Sequence, residues 1–530
     1  MRYLFIIITL SSFIVGCKSN LEEVGNKPPE PFTVTAILEP NGKYIKASWI
    51  PTKDPEGDYI EYKIVGVDTI TITSLDGIGG LYFYTLKNIP FNYELNGKVI
   101  ACDSKGACTT SNFTVKTSSE VIFADTKFEK FLIDTKIDSD GILDGKISKT
   151  DAEKVKDLAV TFTQINGQQP EIEDLSGTEL FPNLENLIVW SGKLKYVDLS
   201  KNRNLKTIII SNCQIEKIDL TKNINLETID LTGNKKLSSL DVTQNLNLKT
   251  LYFGGAIIKK INLSANKLIE NLGFDLSLSD IDLSNNVNLK CIGCFGNTFK
   301  IGNVSYSFGG SGQSGKANLL KVDLKNNTKL ESINLDGAGL DEFRGKLEDI
   351  NLTNCSNLKF LSLRNNAFSN IDLSNNKFLE RLDIGSNNFQ KINLSNNLSI
   401  KNLDLSNNNL EILDLGSHNV LSSVDVYSNK LTEIKLPQNL KTYFGIRISR
   451  NQLIKLDLIN VPWLLNLECE GNNLENIDLR KIYYLDKLSL DSRNNLKLKS
   501  ICVPDVEKAK KVASDRKWLI DISTEITKCN

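Results

Sequence analysis

Two adjoining stretches decide the fold: LKFLSLRNNAFSNIDLSNNKF at residues 358–378 and LERLDIGSNNFQKINLSNNLS at residues 379–399. Each is 21 residues long, with leucine or isoleucine at positions 1, 4, 6, 14 and 16, an aromatic at 11, and asparagine at 9 and 19. The same frame starts near Leu184, Leu205, Leu226, Leu248, Ile269, Leu289, Leu330, Leu358, Leu379, Ile400, Leu421, Tyr443, Leu464 and Leu485, giving about fourteen units. One unit cannot bury its apolar face alone, so the units must stack and share a core. The LxL segment predicts one strand per coil, and fourteen coils at the inter-strand spacing would span roughly 65 Å. The asparagines at positions 9 and 19 can donate and accept at once, which suits turns that would otherwise strand backbone polar groups.

This pattern resembles the leucine-rich repeats of bacterial secreted proteins, such as internalins and Bacteroidota surface proteins. The resemblance implies a solenoid that binds another macromolecule, with a protein ligand as the leading expectation and a glycan or peptidoglycan as the alternative. A purely structural envelope protein is the third reading. The outward positions 3, 5 and 7 of the strand vary while the frame stays fixed, so the concave face is the expected ligand-binding surface. Its candidates are Trp190, Tyr252, Phe295, Phe360, Arg364, Arg381, Asp383, Asp404, Tyr427, Arg447, Glu468 and Glu470. Exposed aromatics and arginines on a rigid sheet are the residues binding hot spots use, although scattered exposed aromatics are also ordinary.

Position 2 alternates in sign through Glu185, Lys206, Glu227, Lys249, Glu270, Lys290, Glu331, Lys359, Glu380 and Lys401. Stacking should set each acid between two bases and oppose slippage by one coil. Two units are expanded, by a Gly/Ser-rich excursion between Phe299 and Leu319 and by a shorter one near Glu342 to Lys346. Insertions of this kind become loops on one face of a solenoid.

Upstream, MRYLFIIITLSSFIVGC has a basic Arg2, a short apolar run and a terminal Cys17. The run has the layout of a secretory signal and is too short for a stable span. IVGC resembles a bacterial lipobox, which implies lipidation at Cys17, a membrane anchor, and an exported lipoprotein of the bacterial envelope, expected at the outer membrane and facing either the periplasm or the cell surface. An ordinary signal peptide is the plainer alternative. Residues 1–17 then form the signal and 18–30 a proline-rich tether. Residues 31–117 alternate apolar and polar in short runs, a small β-sandwich pattern. Trp49, DPEGDYIEYKI and YELNGKVIACDSKG resemble a fibronectin type III or immunoglobulin-like module, although Tyr93 lies further from Asp103 than that pattern expects. The fold class is therefore β-rich and multi-domain: a sandwich, a helical N-cap over 118–183, repeats over 184–500 and a C-terminal cap over 501–530.

The N-cap carries DSDGILDGKISKTD, residues 138–151. Asp138, Asp140, Asp144 and Asp151 follow the order of an EF-hand calcium loop, but Ile142 and Leu143 interrupt its spacing and the closing acid is Asp rather than Glu. Calcium and a solvated acidic turn both remain open; no other cofactor is expected. The flanking TKFEKFLI and TDAEKVKDLAV have helical apolar spacing.

Ten cysteines in an exported chain suggest disulfides, with Cys102–Cys108 across a turn and Cys502–Cys529 around the C-terminal segment as the expected pairs. Cys294 and Cys469 fall at core position 6, Cys213 and Cys355 replace ladder asparagines, and Cys291-x-x-Cys294 lacks a second pair for zinc. The single histidine, His418, occupies position 19, aligned with Asn376, Asn397 and Asn439. It reads as a substitute for asparagine, and no histidine-based triad is available. With no phosphate loop either, the chain is expected not to be an enzyme. Its net charge of −1 offers no basis for nucleic-acid binding, and a monomer is expected.

Overall fold

The computed structural model describes residues 25–529 except 40–43, 66–68, 73–75, 79, 87–92, 118–122, 162–170, 191, 275, 294–296, 302–303, 309–317, 338–344 and 517. Cys17 with its leader, Cys294, Phe295 and most of both insertions lie outside the described residues. The chain divides into two compact units, Met1–Ile122 and Phe123–Asn530.

The described residues of the first unit hold eight strands: β1 Val34–Leu38, β2 Ile45–Trp49, β3 Ile60–Val65, β4 Thr69–Ile72, β5 Asp76–Ile78, β6 Leu81–Leu86, β7 Glu94–Asp103 and β8 Cys108–Lys116. They form two four-stranded sheets, ordered β1-β2-β6-β5 and β4-β3-β7-β8, with antiparallel pairing throughout. Alternation places Ile45, Ala47 and Trp49 of one sheet and Ile64, Val99 and Ala101 of the other in a single core. Cys102 and Cys108 face each other across the β7–β8 hairpin and are disulfide-bonded.

The second unit is built on one parallel sheet of fifteen strands. Leu361, Leu382, Leu403 and Val424 stand side by side in successive strands, so each step along the sheet is one repeat. Positions 1, 4, 6, 11 and 16 of the coil at 358 are buried as Leu358, Leu361, Leu363, Phe368 and Leu373, whereas position 14, Ile371, is only partly buried against them. The sheet begins earlier than the repeat pattern suggested. Val155, Leu158 and Val160 take the 1, 4, 6 spacing, and Asp157–Val160 pairs in parallel with Asn186–Val189. The helical reading of TDAEKVKDLAV therefore holds only over α2, Lys149–Lys154, which follows α1, Thr126–Asp134. Apolar residues spaced 1, 4, 6 fit a helix face and a repeat strand alike, and neighbouring strands decide between them.

Position 8 explains how each coil turns. Asn212, Asn365, Ser386, Asn407, Ser428 and Arg450 occupy it with φ of 53–56°, in the left-handed region. That turn aims the next side chain inward. Asn387 donates to the carbonyls of Leu363 at 2.9 Å and Ile384 at 3.0 Å, and accepts the Phe368 amide at 3.1 Å. The position 19 ladder differs: Asn397 donates to the carbonyls of Leu373 at 3.0 Å and Asn376 at 2.9 Å. His418 stands in this ladder, but Asn439 does not, being exposed. Pro437 lies two residues before it, and its missing N–H and fixed φ change the turn.

The position 2 charges pair more simply than expected. Lys206–Glu185, Lys249–Glu227, Lys290–Glu270, Lys359–Glu331 and Lys401–Glu380 lie at 2.6–2.9 Å, each lysine with the acid of the preceding coil. In the first expansion, Asn297–Ile301 and Val304–Phe308 form an antiparallel hairpin, so part of that Gly/Ser-rich excursion is ordered backbone. At the C-terminal end, α3, Val506–Asp515, precedes a strand, Glu525–Lys528, that extends a second-side sheet. Trp518 seals this end by donating its indole N–H to Leu488 at 2.9 Å, and Cys502 is bonded to Cys529.

Candidate functional site

The outward row at position 5 of the large sheet changes character along its length. Ile188, Ile209, Asp230 and Tyr252 are buried. From Asp383 onward the row becomes Asp383, Asp404, Asp425, Arg447, Glu468 and Asp491, aligned strand by strand and only partly buried. The face expected to bind is thus continuous as backbone but accessible as charge only in its second half.

Tyr252 is a correction to the expected surface. It is fully buried, and burial pushes its phenol well above the ordinary value. Its strand neighbour is Gly273, and a Cβ there would lie 2.3 Å from the ring. The ring fills the space that the missing side chain leaves. Trp190 is half-buried against the small cluster of Ile188, Ile209 and Ala159. Neither residue joins the charged half.

Within that half, Phe360 lies under the Arg381 guanidinium at 5.5 Å. The Arg364 guanidinium bonds Asp383 at 3.1 Å, Asp404, and the Ser406 hydroxyl at 3.4 Å. Burial, and then the charge of Asp404, raise the Asp383 carboxyl above its usual range. Arg364 itself is disfavoured by burial, but Asp404 and Asp383 outweigh that and hold it protonated. Three strands are tied by one side chain.

The second cluster centres on Tyr427. Arg447 lies 4.1 Å and Arg450 5.3 Å from its ring. Arg447 also pairs with Asp425 at 3.3 Å and Glu468 at 3.1 Å. Glu470 accepts from the Asn494 amide at 2.9 Å. Arg450 occupies the left-handed position 8, where other coils place Gly233, Gly255 or Gly471. Sequence reading missed it because it lies outside positions 3, 5 and 7.

A third group was also missed. Tyr443, Trp463, Tyr483 and Tyr484 form a ring cluster with centroids 5.6–6.0 Å apart. Tyr443 is 50% and Tyr483 66% exposed. Tyr443 stands at position 1 of its coil yet points outward, while Phe444 is buried. The signal was an aromatic at or just before the first position of three consecutive coils.

The acids of the N-cap do not converge. Among the described residues, the only acid or thiol trio with ligand atoms within 4.8 Å of one another is Asp478, Cys502 and Cys529. There both sulfurs are spent on their mutual disulfide. Cys291 is likewise disulfide-bonded. Cys213 is buried, Cys355 and Cys469 are free and buried, and burial pushes the Cys355 thiol up to about 11.

No family model matches this sequence, and no curated protein matches it. Solved structures do. The functional domain of InlJ from Listeria monocytogenes aligns over 70% of this chain and 73% of its own, with 19% identity and a TM-score of 0.51. The fold is a leucine-rich-repeat solenoid. An internalin, inlF, from the same organism aligns over 59% of this chain and 91% of its own, with 19% identity and a TM-score of 0.40. YopM from Yersinia pestis aligns over 76% and 97%, with 17% identity and a TM-score of 0.36. The InlJ domain is described as including a cysteine ladder. In this solenoid, Cys213 and Cys355 stand singly in ladder slots, their Sγ atoms 3.9 Å from the Val189 carbonyl and 3.5 Å from that of Leu324.

Proposed function

We propose that this chain is an exported, lipid-anchored envelope protein whose solenoid binds a protein ligand through the second half of its outward sheet face. The observation that carries the reading is Tyr427, half-exposed, with the guanidinium groups of both Arg447 and Arg450 against its ring. Tyrosine and arginine, held on a rigid sheet, lose little entropy on binding and are what protein hot spots use. The surrounding Asp383, Asp404, Asp425 and Glu468 supply charge that would select a complementary partner and raise its association rate. An adhesion-type role in which the first unit acts as an immunoglobulin-like spacer fits this reading, with recognition rather than catalysis as its chemistry.

The test is a pull-down from outer-membrane and host-cell extracts with the purified chain, set against a Tyr427→Ala/Arg447→Ala variant of matched melting temperature. A partner lost from the variant supports the site; equal recovery removes it. Fatty-acid labelling that disappears on Cys17→Ala tests the anchor.

The partly exposed ring cluster of Tyr443, Trp463, Tyr483 and Tyr484 favours a second reading, a glycan stacked on aromatic faces. Glycan binding that survives Tyr427→Ala and is lost on Trp463→Ala would favour it over the protein ligand.

A further inference from the structure

In the N-cap loop, Asp138 is 1% exposed, and neither carboxylate oxygen has a hydrogen-bond partner. A buried carboxylate without a well-formed hydrogen bond is costly unless a cation or a proton compensates it. The charged groups facing it are acids from the loop and from both flanking helices: Asp140, Glu129 of α1 and Asp151 of α2 all disfavour its ionisation, second to burial itself, and only the nearby Asp140 backbone N–H favours it. Lys154 is close by but is engaged with Asp151 at 3.1 Å.

We propose that the loop from Asp138 to Asp151 binds one calcium ion, with Asp138 as the buried ligand. The order of oxygens fits once the two extra residues are set aside. Counting Asp138 as position 1 and omitting Ile142 and Leu143, Asp140 is position 3, Asp144 position 5, Gly145 position 6, Ser148 position 9 and Asp151 position 12. The extra residues do not obstruct this arc, because Ile142 and Leu143 are 57% and 55% exposed. Gly145 has φ +81°, the sharp turn that position 6 requires, and Ile147 packs on the solenoid core as the apolar position 8. Asp151 is held at the closing position by the hydroxyls of Ser139 at 2.6 Å and Ser148 at 2.9 Å.

The loop stands open in this structure. Asp140 accepts from the Ile142 amide at 2.7 Å and Asp144 from the Lys146 amide at 3.0 Å, and both side chains are exposed. Calcium would draw these two carboxylates toward Asp138. The ion would then brace the cap against the first coil, since Phe128, Phe131 and Leu132 of α1 share the core of the repeats.

The experiment is calorimetric titration of the full chain with calcium after EGTA treatment, alongside thermal melts. Saturable heat is expected in the roughly 0.1–1 mM range of extracellular calcium modules, with a higher melting temperature in calcium. Asp138→Asn removes a buried charge at constant size, so it should abolish the heat while raising the melting temperature of the metal-free protein. Asp140→Ala, at an exposed site, should weaken binding without affecting the metal-free fold. Absence of saturable heat in the wild-type chain overturns the proposal, as does heat retained by Asp138→Asn. An equal response to magnesium overturns the calcium assignment.

Discussion

His418 places Nε2 3.1 Å from the carbonyl of Leu394, the contact that Asn397 makes with Leu373 one coil earlier at 3.0 Å. The carbonyl can only accept, so Nε2 carries the proton and buried Nδ1 is left without a partner. Asparagine in this slot would also reach the carbonyl of residue 397. His418→Asn is therefore expected to stabilise the protein by about 1 kcal/mol, the net value of one added hydrogen bond. Burial lowers the His418 pKa from its ordinary 6.5. A group with a depressed folded pKa contributes stability above its unfolded pKa and loses it as pH falls. The melting-temperature gap between variant and wild type should widen below about pH 6.5. A gap that stays constant from neutral to mildly acidic pH would contradict this account.

Tyr252 and Gly273 make a second coupled pair. A methyl at residue 273 would meet the ring at 2.3 Å, so Gly273→Ala should cost about 1–3 kcal/mol by overpacking. Tyr252→Ala alone should also destabilise, by leaving a cavity. The double variant should be less damaged than the sum, because each change relieves the other. Additive losses in denaturant melts would mean that the ring moves aside freely.

How far the sequence revealed this molecule follows from what periodicity can encode. The frame of Leu358, Leu361, Leu363 and Phe368 repeats in type and spacing, so the solenoid and its ladders were legible. Periodicity gives the direction of a side chain but not what lies over it. Tyr252 and Phe360 both point outward from a strand, yet Tyr252 is buried and Phe360 half-exposed. A left-handed backbone at position 8 leaves a trace only when glycine or asparagine fills it, and Arg450 hid that slot. Tyr443 and Trp463 fell where the pattern reads coil boundaries, so no rule for strand faces could collect them.

The Arg364 triad yields a prediction about charge balance. Its side chain is 32% exposed, and those of Asp383 and Asp404 are 14% and 25% exposed. Arg364→Ala would leave two partly buried carboxylates facing one another. The loss should be about 1–3 kcal/mol, below that of a fully buried pair because solvent screens part of it. Adding Asp383→Asn and Asp404→Asn should restore most of it, while Arg364→Lys should not, since one ammonium cannot reproduce the forked contacts. Equilibrium unfolding of the four proteins decides the matter, and an undiminished loss in the triple variant would count against charge as the cause.

Arg450 separates stability from recognition. A non-glycine residue in the left-handed region costs about 1–2 kcal/mol, and Gly471 fills the equivalent slot in the next coil with φ +66°. Arg450→Gly should therefore raise the melting temperature. It would also remove one of the two guanidinium groups beside Tyr427 and weaken capture of the ligand. Strain at a position that contacts the candidate site is what a retained binding residue produces, whereas a residue of merely local importance would show the stability gain with binding intact. Measuring melting temperature and partner recovery on the same preparation distinguishes the two, and a variant that is both more stable and fully competent would take Arg450 out of the site.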